Sequence, residues 1–300
     1  MTAPIALPLG PRMIVRFTGP DAQRYLNGQV TQDIAPLAHS HNSTPACVTD
    51  AKGRLGALVR IISDGPQTWY VEAPPQADTA LFDRLTRYLI ADDAEATDVS
   101  DLWHIIHCTE ELPSDLPNPA LARSSDRFGL PGHDIWLPAT ETDAMARILA
   151  LSNLACGDLL ETRRIETGIP VWGADAIQDL FPAELGLDRT AVSFTKGCYI
   201  GQEVISRMKY AGKINRRLSR LSLDPSIPAS SLSSAHLSVP GEDVGGTAGT
   251  LTSIAPLLSQ DGRRAALAMI ARPWLDAAGF DIITPDGIRH SSAARVIGPA

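Results

Sequence analysis

The chain reads as an α+β protein with a β-rich C-terminal part. Runs of β-branched and aromatic residues at 12–17 (RMIVRF), 54–63 (RLGALVRIIS) and 68–73 (TWYVEA) have strand composition. Segments with apolar residues three and four apart follow them, as helices packed on a sheet require. Toward the end, only short strand-like runs remain, at 243–253, 264–271, 279–284 and 294–297. They suit a small barrel or sandwich.

The 12–17 run opens the first sheet. Asp64-Gly65-Pro66-Gln67 supplies turn residues between the next two runs, which therefore form a hairpin. Pro74-Pro75 ends the third strand, and Asp78 starts a helix with Leu81, Leu85, Tyr88 and Leu89 on one face, placed to cover the sheet. His104 and His107 flank Ile105-Ile106 in a further strand, where positions three apart face opposite sides and do not chelate one ion. Between 109 and 133 prolines, glycines and serines accumulate without apolar periodicity, which reads as a surface connection. A helix follows near Thr140, with Thr140 and Asp143 as a capping-box pattern and Met145, Ile148 and Leu149 on its apolar side. The next runs from about Asp158 to Thr167, stops at Gly168, and carries Glu166 to its end. A second break covers 224–241. The expected organisation is a first lobe at 1–108, the connection at 109–133, a second lobe at 134–223 and a β-rich domain at 242–300.

Composition narrows the function classes. The 300 residues are 44% hydrophobic and 20% charged, enough to bury substantial cores and too apolar for wholesale disorder. A net charge of -8 argues against direct nucleic-acid binding, which needs a positive surface. MTAPIALPLGPR lacks the basic start and apolar core of a secretory signal, and no apolar run reaches membrane-span length. Cys47, Cys108, Cys156 and Cys198 are far apart without CxxC pairs, as in a reducing compartment, so a cytoplasmic protein without a membrane anchor is expected.

The chemistry concentrates in FTKGCYIGQEVISR at 194–207. Cys198 lies between Gly197 and Gly201, which permit backbone angles and close approaches forbidden to larger residues. Lys196, two positions before it, is expected to favour a thiolate. Cys198 is then a nucleophile, a redox handle or a soft-metal ligand, and the residues alone leave all three open. No resident metal set is assigned. Arg207, Lys209, Lys213, Arg216, Arg217 and Arg220 form a basic run in an acidic chain, suited to an anionic ligand or partner, or to a charged strand edge.

KGCYIGQE at 196–203 resembles the signature of the YgfZ family, folate-binding proteins related to the glycine cleavage T-protein and tied to iron-sulfur enzyme maintenance. FTGPDAQRYLNGQVTQDI at 17–34, AKGRLGALVRI at 51–61, RRIETGIPVWGAD at 163–175 and FPAELGLDRTAVSFTKGCYIGQE at 181–203 match that family in order and spacing, and VGGTAGTLTS at 244–253 resembles the start of its C-terminal barrel. The resemblance implies a T-protein-like fold of two lobes around a folate pocket with a C-terminal β-barrel-like domain. It also implies tetrahydrofolate or a derivative as cofactor, and iron-sulfur client enzymes, tRNA-modifying ones included, or assembly proteins as partners.

In T-protein relatives the residue matching Glu166 hydrogen-bonds the pterin, whose N–H donors suit a carboxylate. Glu166, Trp172, Tyr199, Gln202 and Arg207 are the cofactor contacts so implied, with Trp172 equally consistent with a core position. Cys198 and Lys196 are the essential side chains. The chain departs from T-proteins where they carry an acidic pair, one carboxylate of which is needed for aminomethyl transfer: here Gly56 and Ala57 stand in its place, and neither exchanges a proton. Folate binding without aminomethyltransferase activity is therefore expected. A true one-carbon transferase and a cysteine-dependent hydrolase or transferase are the alternatives.

Overall fold

The computed structural model describes residues 6–75, 78–109, 121–150, 157–212, 214–241 and 247–300. The chain forms two compact units, 1–126 with 130–156 and 188–206, and 127–129 with 157–187 and 207–300. No helix among the described residues is long and apolar enough to cross a membrane.

The first unit contains two antiparallel sheets. In chain order its elements are β1 (Ala6–Pro8), β2 (Met13–Thr18), α1 (Ala22–Gln29), β3 (Ser43–Thr49), β4 (Leu55–Ser63), β5 (Thr68–Ala73), α2 (Asp78–Thr86), β6 (Glu95–Asp98), β7 (Trp103–Cys108), β8 (Leu121–Ser125), β9 (Gly132–Pro138) and α3 (Thr142–Ala150). One sheet has the order β3-β4-β5-β2-β6, the other β1-β7-β9-β8. The expected hairpin is β4 with β5, where Ile61 faces Val71 and Ile62 faces Tyr70.

Period-two alternation divides the residues of the five-stranded sheet between two cores. Val15, Phe17, Ile61, Trp69 and Val71 pack with Tyr25 and Leu26 of α1 and Leu81 and Leu85 of α2. Ile14, Ile62 and Tyr70 pack with Ile105, Leu121 and Trp136 from the other sheet. Each such fully buried large side chain contributes about 1.5–3 kcal/mol of hydrophobic stabilisation. Tyr88 does not join the α2 face, because the helix ends at Thr86 and Tyr88 is exposed.

Part of the segment expected to be a connection is strand. β8 has the sequence LARSS, in which every second residue is buried, and two of those three are polar. Arg123 replaces an apolar residue there by giving its guanidinium to the Ser63 carbonyl at 3.1 and 2.6 Å. A hydrophobicity pattern does not register such a strand. His107 of β7 is fully buried against Asp134 at 2.8 Å while His104 is exposed, the opposite facing expected of that pair.

The second unit carries α4 (Gly157–Thr167), the end of α5 (Gln202–Ala211), and a closed six-stranded barrel. The barrel strands are β10 (Arg216–Leu223), β11 (His236–Ser238), β12 (Gly249–Ile254), β13 (Arg264–Ala271), β14 (Gly279–Ile283) and β15 (Arg289–Pro299), in the order β10-β13-β12-β11-β14-β15. It begins 26 residues before the position expected from composition, because β10 precedes the polar break at 224–241 and β11 lies within it. Leu221, Leu223, Leu237, Ile270, Phe280 and Ile282 fill its core.

Candidate functional site

The signature loop belongs to the first unit, where the end of α1 and the turn between β3 and β4 receive it. That turn is closed by Asp50, whose carboxylate accepts the amides of Lys52 at 2.9 Å and Arg54 at 2.8 Å. Gly53 at its tip has φ +74° and Gly201 of the signature φ +88°. Their backbones touch: a Cβ on Gly201 would sit 2.6 Å from the Asp50 carbonyl oxygen and 3.0 Å from the Gly53 Cα. Glycine is thus favoured at both positions by angle, and at Gly201 also by space. Gly197 has no such need, since it lacks a positive φ and a Cβ there would meet nothing within 4 Å.

Around the thiol, burial alternates. Lys196 and Tyr199 are buried, whereas Gly197 and Cys198 are exposed. The Lys196 ammonium donates to the carbonyls of Val30 at 2.9 Å, Gln32 at 2.8 Å and Asn27. Its charge thereby meets the negative end of α1, where backbone carbonyls lack helical partners. An ammonium has three N–H groups, and all three are used. Expected to favour a Cys198 thiolate, Lys196 gives its three N–H groups to this anchor, a contact across more than 160 residues that spacing near Cys198 does not reveal. Burial pushes the Lys196 pKa down to about 8, against the opposing pull of Asp33. The Tyr199 ring lies 5.3 Å from the ammonium, within cation–π range. Its buried hydroxyl lacks a hydrogen-bond partner among the described residues, and burial raises its pKa to about 12. Gln202 is half-buried at the start of α5.

The other thiols differ in kind. Cys47 and Cys108 are buried, with pKa values raised to about 12 and about 11, chiefly by desolvation. Cys156 lies outside the described residues.

Gly56 and Ala57, the positions at which the resemblance implies a missing acidic pair, face opposite ways. Ala57 is fully buried in the core beneath α1 and α2. Gly56 is exposed, and a Cβ there would approach only the Val48 carbonyl oxygen, at 3.4 Å. Of the two, Gly56 alone has room for a carboxylate. Asp50 is committed to its turn.

Glu166, Trp172 and Arg207 belong to the second unit. Glu166 ends α4 half-buried, with Oε1 accepting the Ser259 hydroxyl at 2.6 Å and Oε2 in a 3.4 Å contact with Arg163. What fixes this helix end is a buried pair not anticipated from sequence. The Arg164 guanidinium meets Asp175 Oδ2 at 2.9 Å, and Asp175 Oδ1 accepts the hydroxyls of Thr252 at 2.6 Å and Ser253 at 2.7 Å. The VWGAD loop closes back on itself to present that carboxylate, with the Asp175 and Ala176 amides donating to the Val171 carbonyl. An arginine and an aspartate 11 positions apart in RRIETGIPVWGAD were the available signal. Trp172 is half-buried in this loop.

The described members of the basic run differ in their surroundings. Arg207 and Lys209 are exposed on α5, and Lys213 lies outside the described residues. Arg216 pairs with Glu184 at 3.4 Å, and Arg220 donates to the Glu166 and Pro299 carbonyls.

No family model matches the chain. It is 30% identical over 227 residues to the tRNA-modifying protein YgfZ of Serratia proteamaculans, covering 68% of this chain and 67% of that protein. The chain belongs to the YgfZ family. The YgfZ protein of Photorhabdus laumondii is 31% identical over 222 residues, with 68% and 66% covered, and an uncharacterized Haemophilus influenzae protein is 29% identical over 208 residues, with 68% and 69% covered. Among solved structures, the glycine cleavage system aminomethyltransferase T of Bartonella henselae superimposes with a TM-score of 0.78 at 15% identity, covering 99% of this chain and 85% of that one. That likeness gives this YgfZ protein a T-protein-like fold.

Proposed function

We propose that this YgfZ-family chain is a cytoplasmic folate-binding accessory protein for the assembly or repair of iron-sulfur clusters in client enzymes, tRNA-modifying enzymes among them. The observation that carries the reading is the exposed Cys198 on an anchored loop inside the family signature. A side chain so displayed suits action on another macromolecule. The absence of a carboxylate at Gly56 and Ala57 supports a binding role over aminomethyl transfer.

Tetrahydrofolate or a derivative fits Glu166. The carboxylate is half-buried, and among the described residues its Oε2 has only the long Arg163 contact to set against a pterin N–H donor. Glu166 would hold the ring, with Trp172 beside it in the sequence motif. Bound tetrahydrofolate would supply ring nitrogens able to carry a one-carbon unit.

A strain lacking this protein is expected to lose iron-sulfur-dependent tRNA thiomethylation, with rescue by wild type and not by Cys198→Ala. Normal modification in the deletion strain, or full rescue by the variant, overturns the accessory role. Titration with 5-formyltetrahydrofolate is expected to saturate, and Glu166→Gln to weaken binding roughly tenfold or more, since a hydrogen bond to a charged group contributes about 1.5–3 kcal/mol. Turnover with a lipoyl-carrier aminomethyl donor, abolished by Glu166→Ala, would favour the transferase instead.

A further inference from the structure

The signature loop is bonded to the first unit on both sides of Cys198 through residues outside the signature. On the N-terminal side the fully buried Thr31 uses its hydroxyl twice, donating to the Ala191 carbonyl at 2.6 Å and accepting the Cys47 amide at 2.9 Å. The Ser193 amide donates to the Thr31 carbonyl at 3.0 Å, and the Gln32 side chain donates to the Thr190 carbonyl at 2.9 Å. Residues 31–32 thus serve as a backbone partner for 190–193, and Cys47 ties them to β3. On the C-terminal side the Thr49 hydroxyl donates to the Ile200 carbonyl at 2.7 Å, and the Ile200 amide to that of Gly28 at 3.3 Å. Lys196 completes the attachment with its three carbonyls, two residues from the thiol.

We propose that Thr31 and Lys196 are positioning residues for Cys198, holding the loop backbone so that the exposed thiol occupies one place. This rests on the reading that Cys198 is the working side chain. The inward-facing neighbours Lys196 and Tyr199 leave Gly197-Cys198 as a two-residue crest between fixed points. Losing either attachment frees the crest without touching the thiol. Thr31→Val keeps the shape of the side chain but orphans a buried carbonyl and a buried amide, whereas Thr31→Ser keeps the hydroxyl.

The test places a nitroxide on Cys198 in a Cys156→Ser background, with Cys47 and Cys108 protected by burial. The parent protein is expected to give an immobilised spectrum. Thr31→Val and Lys196→Met are expected to shift it to a mobile one and to raise amide exchange across 190–201 at least tenfold, while Thr31→Ser retains the parent spectrum. Immobilised spectra in both variants, folded by circular dichroism, overturn the proposal. Should the variants fail to fold, the parent decides: rapid exchange of its Ser193 and Ile200 amides overturns it, and protection of both supports it. None of these readouts needs folate or a client, so their failure sinks the positioning role alone, whereas rescue by Cys198→Ala sinks the functional reading on which that role rests while leaving the spectra and exchange as they are.

Discussion

Asp175→Ala removes one member of a pair in which both side chains are essentially inaccessible, 1% for Arg164 and 0% for Asp175. The guanidinium keeps Glu161, whose side chain is 42% exposed, and the Ile169 carbonyl. It loses the one fully buried counter-charge among its described partners. Breaking a buried pair by deleting one partner costs about 3–5 kcal/mol. The surviving Glu161 contact moves the expectation toward the lower end, while the Thr252 and Ser253 hydroxyls and the Val171 amide, which all bond Asp175, move it back up. At about 3 °C per kcal/mol, the second unit should melt roughly 10 °C lower by calorimetry. Arg164→Met combined with Asp175→Leu should recover most of that loss, because apolar replacement of a buried pair is often neutral or stabilising. Since Glu166 follows Arg164 by two residues, Asp175→Ala should also weaken 5-formyltetrahydrofolate binding. A shift under about 3 °C would refute the assignment of this pair as the clamp on the α4 end.

Gly56→Asp should leave the melting temperature nearly unchanged, whereas Ala57→Asp should unfold the first unit or cost several kcal/mol, because it buries an unpaired carboxylate; equal effects would contradict the facing of β4. Gly201→Ala should destabilise by at least about 1 kcal/mol from its positive φ alone, with more from the close backbone, and denaturant melts showing no loss would refute that packing. Lys196 gives a pH signature: its folded pKa of about 8 lies below the unfolded value of about 10.4, so the unfolded chain holds the proton more tightly through that window. The stability of wild type relative to Lys196→Met should accordingly rise as pH increases from 8 to 10.4, and a flat difference would argue against a buried ammonium. At pH 8 a small alkylating agent should modify Cys198 and spare Cys47 and Cys108 until the protein is denatured, as read by peptide mass; early loss of Cys47 would contradict its burial.

Strands with apolar alternation, such as β2, β4 and β5, could be read from residue pattern because their burial is paid in hydrophobic side chains. β8 could not, since its buried positions include two polar residues, Ser125 and Arg123, the latter satisfied by the Ser63 carbonyl 60 residues away. The closed barrel was legible as short β runs, but its first strand was hidden inside the basic run that includes Arg216, Arg217 and Arg220. At the site, the exposure of Cys198 and the need for glycine at 201 agree with the motif. The anchoring of Lys196 and the Arg164–Asp175 pair depend on three-dimensional neighbours, and charge spacing along the sequence does not distinguish an anchor from an activator.

The first unit is completed by residues 188–206, which arrive after most of another unit's helical segment has been made. The carbonyls of Asn27, Val30 and Gln32 therefore wait for a lysine 164 to 169 residues later in synthesis. A nascent chain released at residue 156 would hold both sheets yet lack the closing loop, and no single cut separates the chain into its two units. During translation the N-terminal portion consequently remains unfinished, with the α1 end open, until the ribosome has passed the signature.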